Sequence, residues 1–331
     1  MNVSSCRVLV GDALAQLRTL PGASVQCCIT SPPYYGLRDY GAEGQIGLEP
    51  TPAEYVGRLV AVFREVRRVL VDTGTLWLNL GDSYSGSGKG GEDPTIGERN
   101  LGGLSYPKMV RGGAKPKDLL GIPWLVAFGL RADGWWLRSD IIWAKSNPMP
   151  ESVTDRPTRS HEYVFLLSKS ERYYYDAAAI RETARATTSH DATGPGYEAP
   201  GQAPQTGTRR PDKQRGHGRR HAGFDDRWDA MPKAVQQSFG RNKRDVWTVA
   251  TEPYPEAHWA VMPEALVEPM VMAGCPAGGV VLDPFAGSGT TLAVAMRLGR
   301  HAIGVELNPA YVALIQRRAA QPGFVWEEGK L

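Results

Sequence analysis

The sequence predicts an α/β fold with a mainly parallel sheet covered by helices on both faces. Three observations lead there. Short runs of branched apolar residues alternate with stretches whose apolar positions recur at helical spacing. The apolar runs are bounded by Gly, Pro or acidic residues, as strands are. At 331 residues the chain can bury a large core, and one α/β domain with insertions suits that length.

The elements follow in order. Residues 6–10 read as a short strand ending at Gly11-Asp12. Residues 25–30 are a second strand, set between Pro21-Gly22 and Pro32-Pro33. Residues 52–71 carry Tyr55, Leu59, Val62, Phe63, Val66 and Leu70 at helical spacing and read as an amphipathic helix. Residues 75–80 form a third strand, ending at Gly81-Asp82. Residues 83–117 lose periodicity, fill with Gly, Ser and Lys, and predict a long mobile surface loop. Order returns with a helix near 118–132 and strands near 135–144 and 161–168. Residues 181–245 are poor in aliphatic residues and form the weakest segment for a fold. From 258 the pattern is clear again: helix 263–273, strand 279–283, a Gly-rich turn, helix 290–298, strand 301–306 and helix 309–319.

Composition narrows the classes. Hydrophobic residues make up 42%, ordinary for a soluble globular protein. The net charge is +3, so any charge that meets nucleic acid must be local. Cys6, Cys27, Cys28 and Cys275 show no CxxC pairing and no companion histidine spacing, so no zinc or other metal is expected. Cys27 and Cys28 are neighbours in a strand and face opposite sides, which suits reduced core residues of a cytoplasmic protein. No signal peptide is visible, and no run approaches about 18 apolar residues, so no membrane span is expected.

Two loops carry chemistry. Val280-Val281-Leu282 leads into Asp283-Pro284-Phe285-Ala286-Gly287-Ser288-Gly289-Thr290-Thr291. Glycines there allow close backbone approach to a ligand, and the next helix aims its N–H groups at the same place. The following strand ends in Glu306, about 20 residues on, where nucleotide-binding α/β folds place an acid for ribose hydroxyls. A Gly-rich turn without ligand is the plain alternative, and a dinucleotide competes. Asp-Pro-Phe directly after the strand departs from the dinucleotide fingerprint. The second loop is Thr30-Ser31-Pro32-Pro33-Tyr34, after strand 25–30. Its prolines fix φ and point carbonyls at a preset place. A rigid turn with no chemistry is the alternative there.

Together the two loops resemble those of DNA amino-methyltransferases of the permuted β class, in which the catalytic loop precedes the cofactor loop. The resemblance covers residues 1–180 and 245–320. It implies a Rossmann-like S-adenosylmethionine-dependent methyltransferase fold with permuted motif order. Residues 1–180 would be its catalytic half, with loop 83–117 inserted, and 246–331 its cofactor half. The variable insert 181–245 falls where such enzymes usually carry target recognition.

The implied cofactor is S-adenosyl-L-methionine. Its implied binding residues are Asp12, Asp283, Pro284, Phe285, Gly287, Gly289, Thr290, Glu306 and Pro263. By resemblance, Phe285 packs near the adenine or methionine and Glu306 binds the ribose. Asp12 approaches the adenine amine, caps the helix after it, or does both. Segment 258–263 closes over the methionine end, with His258 as cofactor wall rather than base, because the amine can lose its proton after transfer unaided. Asp82 lines a pocket or caps its loop. Trp135, Trp136 and Trp143 are expected in the core or covering the sheet.

The exocyclic amine of cytosine or adenine is a poor nucleophile, because its lone pair is delocalised into the ring. Ser31 and the Pro32 carbonyl are expected to hold that amine. Pro33 stiffens the loop, and Tyr34 stacks on a base flipped from the duplex, its ring mattering more than its hydroxyl. In the family, serine in first place goes with cytosine N4, and aspartate or asparagine with adenine N6. Ser31 therefore favours cytosine N4, with adenine N6 as the alternative. RNA or protein-glutamine methylation and a catalytically silent nucleic-acid-binding relative are more distant readings.

Duplex DNA is the implied partner. Arg209, Arg210, Lys213, Arg215, Arg219 and Arg220 form a dense basic run suited to phosphates and guanine edges. A solvated insert is the alternative, with loop 83–117 the second candidate for recognition. A restriction-modification member would have a cognate restriction endonuclease as a further partner.

Overall fold

The computed structural model describes residues 4–37, 39–85, 114–183, 240–252, 261–319 and 325–328. The chain divides into two compact units, Met1–Ala179 with Arg244–Leu331, and Ile180–Lys243. In the first unit the chain runs β1 (Ser5–Val10), α1 (Ala13–Thr19), β2 (Val25–Thr30), α2 (Pro52–Val69) and β3 (Leu70–Leu80). It continues with α3 (Ile122–Ala132), β4 (Trp136–Lys145), β5 (His161–Ser168) and β6 (Val246–Val249). It ends with α4 (Glu264–Gly274), β7 (Val280–Asp283), α5 (Thr290–Arg297), β8 (His301–Glu306), α6 (Pro309–Ala319) and β9 (Val325–Glu328).

One sheet holds these strands in the order β6-β4-β5-β3-β2-β7-β8-β1-β9. Only the two pairings of β5, with β3 and with β4, are antiparallel. Helices cover both faces, as the alternation predicts. Cys28 of β2 joins the core that α1, α2 and α3 close. Its neighbour Cys27 faces the other way, toward Gly274 of α4. All four cysteines are free and buried.

Local chemistry sets the element bounds. α2 opens on a capping box between Thr51 and Glu54 with Pro52 in its first turn, and it buries Tyr55, Leu59, Val62, Phe63 and Val66. It stops at Val69, where β3 begins. That strand is longer than the expected 75–80, because Leu70 to Gly74 continue it past an irregularity opposite Val25 and Cys27. α3 starts at Ile122 rather than near 118, because Gly121 takes a left-handed φ of 70° and Pro123 follows in the first turn. β6 and β9 were not legible in the sequence. Four residues each are too few for a period, and pairing with β4 and β1 makes them strands.

Strand direction positions the site. The parallel strands β1, β2, β3, β7 and β8 bring their carboxyl ends to one edge, where α/β sheets bind ligands. Because β5 runs the other way, its amino end, His161-Glu162, reaches the same edge, and so does Lys145 at the end of β4. No helix among the described residues is long and apolar enough to cross a membrane.

Candidate active site

A cavity of about 400 Å³ opens at that edge. Its size falls in the range of small-molecule sites, roughly 300–1,000 Å³. One wall comes from the ends of β1, β7 and β8: Gly11, Asp12, Pro284–Ser288, Thr290, Thr291 and Glu306. The other comes from the ends of β2, β3, β4 and β5: Ser31–Tyr34, Asn79, Trp143, Lys145 and Glu162.

The glycine loop is held from behind. Asp283 Oδ1 accepts from the Phe285 N–H at 3.0 Å and from the Thr30 hydroxyl at 2.6 Å. Arg318 of α6 donates to Ser288 Oγ at 2.8 Å and to Thr290 Oγ1 at 2.5 Å. Glu306 accepts from the Gly287 N–H and the Asn308 N–H, each at 2.8 Å, one on each carboxylate oxygen. Burial pushes the Asp283 carboxyl up to about 6 and the Glu306 carboxyl up to about 7. Gly287 sits at φ 51°, and a β-carbon there would meet only the Phe285 carbonyl, at 3.9 Å, so the space beyond it is open. Asp12 both caps α1, accepting from the Ala15 N–H at 2.8 Å, and lines the cavity.

The Ser31–Tyr34 loop is held just as firmly. Tyr55 of α2 donates its hydroxyl to the Pro33 carbonyl at 2.8 Å. The segment after the loop is pinned by Arg58, which pairs with Glu49 at 2.9 Å and donates to the Gln45 carbonyl at 3.0 Å. Tyr34 donates its hydroxyl to Glu162 Oε2 at 2.5 Å and accepts from Asn79 Nδ2 at 2.8 Å. Asn79 also donates to Glu162 Oε2, at 2.9 Å. Lys145 Nζ donates to the other oxygen, Oε1, at 2.5 Å, and lies 4.8 Å from the Trp143 ring centroid. Ser31 Oγ is 3.4 Å from the Tyr34 hydroxyl. Burial and then the Glu162 charge push the Tyr34 phenol well above its usual range, so it stays a donor.

Two rigid loops on adjacent strands, one Gly-rich with an acidic neighbour and one Ser-Pro-Pro-Tyr, thus share one cavity. The chain matches the family described as DNA methylase, the N6_N4_Mtase family, over residues 25–317. It belongs to that family. Over 318 residues it is 44% identical to the type II methyltransferase M.SmaI of Serratia marcescens, covering 96% of this chain and 91% of that protein. It is 42% identical to M.Cfr9I of Citrobacter freundii over 318 residues, covering 96% of this chain and 89% of that protein. The protein TTHA0409 of Thermus thermophilus, solved in complex with S-adenosyl-L-methionine, has a similar structure. The TM-score is 0.56 at 26% identity, over 98% of this chain and 99% of that one.

Within this DNA methylase, Ser31, Pro32, Pro33 and Tyr34 all line the cavity, as do Asp12, Pro284, Phe285, Gly287, Thr290 and Glu306. Three expected residues do not line it. Asp283 lies behind the loop as its anchor. Gly289 caps α5 at φ 80° and packs against Ile315. Pro263 is the buried cap of α4, and its neighbours Val261 and Met262 face the cavity instead. Asp82 is a loop cap, its Oδ1 accepting from Ser83 and Ile122 N–H groups at 2.9 Å each. Trp135 is buried and Trp136 exposed, while Trp143 is both buried and part of the cavity wall.

Sequence reasoning missed Lys145 and Glu162 and gave Asn79, part of a string that resembles the family, no role. Their one signal is a polar residue at the end of a strand, and strand direction is needed to read it. His258, the basic run from Arg209 to Arg220 and most of loop 83–117 lie outside the described residues.

Proposed function

We propose that this DNA methylase transfers a methyl group from S-adenosyl-L-methionine to the N4 amine of cytosine in duplex DNA, with the base flipped out of the stack. The observation that carries the reading is the shared cavity: Ser31–Tyr34 and the loop Pro284–Thr291 face one another across it. Membership of the family supports amino-group methylation of DNA at N4 or N6. Ser31, rather than aspartate or asparagine, supports cytosine.

The residues suit the cofactor. Each Glu306 oxygen accepts one backbone N–H, and a carboxylate has further lone pairs for ribose hydroxyls. Phe285 and Pro284 offer apolar faces to the adenine. Asp12 uses Oδ1 as a cap, leaving Oδ2 for the adenine amine. Gly287 leaves the open space a ligand needs. When bound, S-adenosyl-L-methionine supplies the electrophilic methyl group.

The chain's own residues do the rest. The target amine donates its hydrogens to Ser31 Oγ and to the Pro32 carbonyl, which turns its lone pair out of the ring. Tyr55 holds the Pro33 carbonyl and so fixes the course of the loop beside Pro32. The Tyr34 ring stacks on the base, worth about 1–3 kcal/mol. The basic run Arg209, Arg210, Lys213, Arg215, Arg219 and Arg220 contacts the phosphates. The same reading gives the enzyme a cognate restriction endonuclease as its companion.

Mass analysis of nucleosides from DNA of cells expressing the protein tests this. N4-methylcytosine is expected. N6-methyladenine would move the target to adenine, and the absence of both would overturn the reading.

A further inference from the structure

We propose that Glu162 is a positioning residue for methyl transfer. Holding the Tyr34 hydroxyl on one oxygen and the Lys145 ammonium on the other, it fixes the ring that stacks on the target base. This rests on the reading of Ser31–Tyr34 as the transfer loop.

Stacking alone needs only a phenyl ring, and on that ground the sequence favoured the ring over the hydroxyl; the hydroxyl's partner in the fold revises that weighting. The structure gives the Tyr34 hydroxyl a specific partner, a carboxylate oxygen 2.5 Å away, from a strand that runs against the rest of the sheet. A hydrogen bond to a charged acceptor is among the stronger ones. The carboxylate is itself held. Asn79 donates to the same oxygen at 2.9 Å, and Lys145 to the other at 2.5 Å. The Glu162 and Lys145 side chains are 13% and 21% exposed, so each charge is largely out of water and satisfied by the other. The ring also abuts Gly81, where a β-carbon would fall 2.5 Å from Tyr34 Cε2. The ring is thus held at its tip by Glu162 and packed close to Gly81, just past the end of β3. A base entering the cavity meets an aromatic face already in place, and a ring free to turn would lose that orientation.

A purely structural Glu162, pinning β4 to β5 through Lys145, would act independently of the Tyr34 hydroxyl. A double-mutant cycle on the full-length protein separates the two, read by single-turnover methyl transfer and by calorimetric affinity for S-adenosyl-L-methionine. Glu162→Gln and Tyr34→Phe should each slow transfer roughly ten- to a hundredfold, the scale of a misplaced reacting group. Cofactor affinity should be unchanged in both. The double variant should be no more than about threefold slower than the slower single one, because both remove one interaction. Losses that multiply, or a wild-type rate in Glu162→Gln, would overturn the proposal. Should Glu162→Gln fail to fold, Tyr34→Phe still decides, since it removes only a hydroxyl and a full rate leaves nothing to position. Ser31→Ala tells this failure from that of the underlying reading. An active Ser31→Ala means that transfer does not occur at this loop. An inactive Ser31→Ala beside a fully active Glu162→Gln removes only the role of Glu162.

Discussion

Thr30 donates its hydroxyl to Asp283 Oδ1 at 2.6 Å, joining the strand before the Ser-Pro-Pro-Tyr loop to the strand before the glycine loop. Both residues are buried. The same Asp283 oxygen accepts the Phe285 N–H, so one atom ties the start of the glycine loop to the strand that leads into the Ser-Pro-Pro-Tyr loop. Thr30→Val keeps the shape and deletes the donor. It should cost about 1–3 kcal/mol of stability, the penalty for a buried acceptor left short of a partner. Urea unfolding should show a lower midpoint at unchanged slope. An unaltered midpoint would show that the bond contributes nothing net.

Glu306 makes stability depend on pH. Burial holds its carboxyl at about 7 against a usual 4.5, so between those values the folded chain keeps a proton that the unfolded chain has released. The stabilisation is full below the unfolded value and is lost as pH rises through the folded one. The loss is on the order of 3 kcal/mol. Glu306→Gln should reduce this slope, most clearly between about pH 6 and 7, since Asp283, raised to about 6, contributes below that. On the proposed reading ribose hydroxyls donate to the ionised form, so cofactor affinity should rise with pH up to about 7 and then level off. Calorimetry in buffers of different ionisation enthalpy should record proton release below that pH. Proton uptake would contradict the assignment.

Gly287→Val should abolish cofactor binding. The residue lies at φ 51° beside open cavity, so a branched side chain is both strained and aimed at the ligand's space. Calorimetric titration with S-adenosyl-L-methionine should detect no heat. Wild-type affinity would take the cofactor away from this loop.

Gly81→Ala should impair the other wall. Its β-carbon would overlap the Tyr34 ring, 2.5 Å from Cε2, and displace it. Overpacking of this kind costs about 1–3 kcal/mol of stability. Methyl transfer should fall while cofactor affinity stays, because the glycine loop proposed to hold the cofactor lies across the cavity. Unchanged turnover would show that the ring tolerates movement.

Replacing Arg209, Arg210, Arg219 and Arg220 with alanine should weaken DNA binding and flatten its salt dependence. The slope of log affinity against log salt should fall by roughly 0.9 for each phosphate no longer neutralised. Cofactor affinity should not change. An unaltered slope would move the search for the DNA-binding surface to residues 83–117.

The sequence by itself determined the α/β class, most helix and strand positions, and the two loops that face each other in the cavity. Those features are local. A branched apolar run before Asp283, prolines after Ser31 and a capping box at Thr51 act over a few residues and are written in neighbouring positions. Only the tertiary structure decided which polar residues stand beside those loops. Glu162 follows Tyr34 by 128 positions and reaches it because β5 is antiparallel, a matter of sheet pairing that no period in the sequence records. The same holds for Asp283 and Pro263. Motif order puts both near the cofactor, yet packing turns one into a buried anchor and the other into a helix cap. β6 and β9 show the limit from the other side. Four residues become a strand only when an edge is there to pair with.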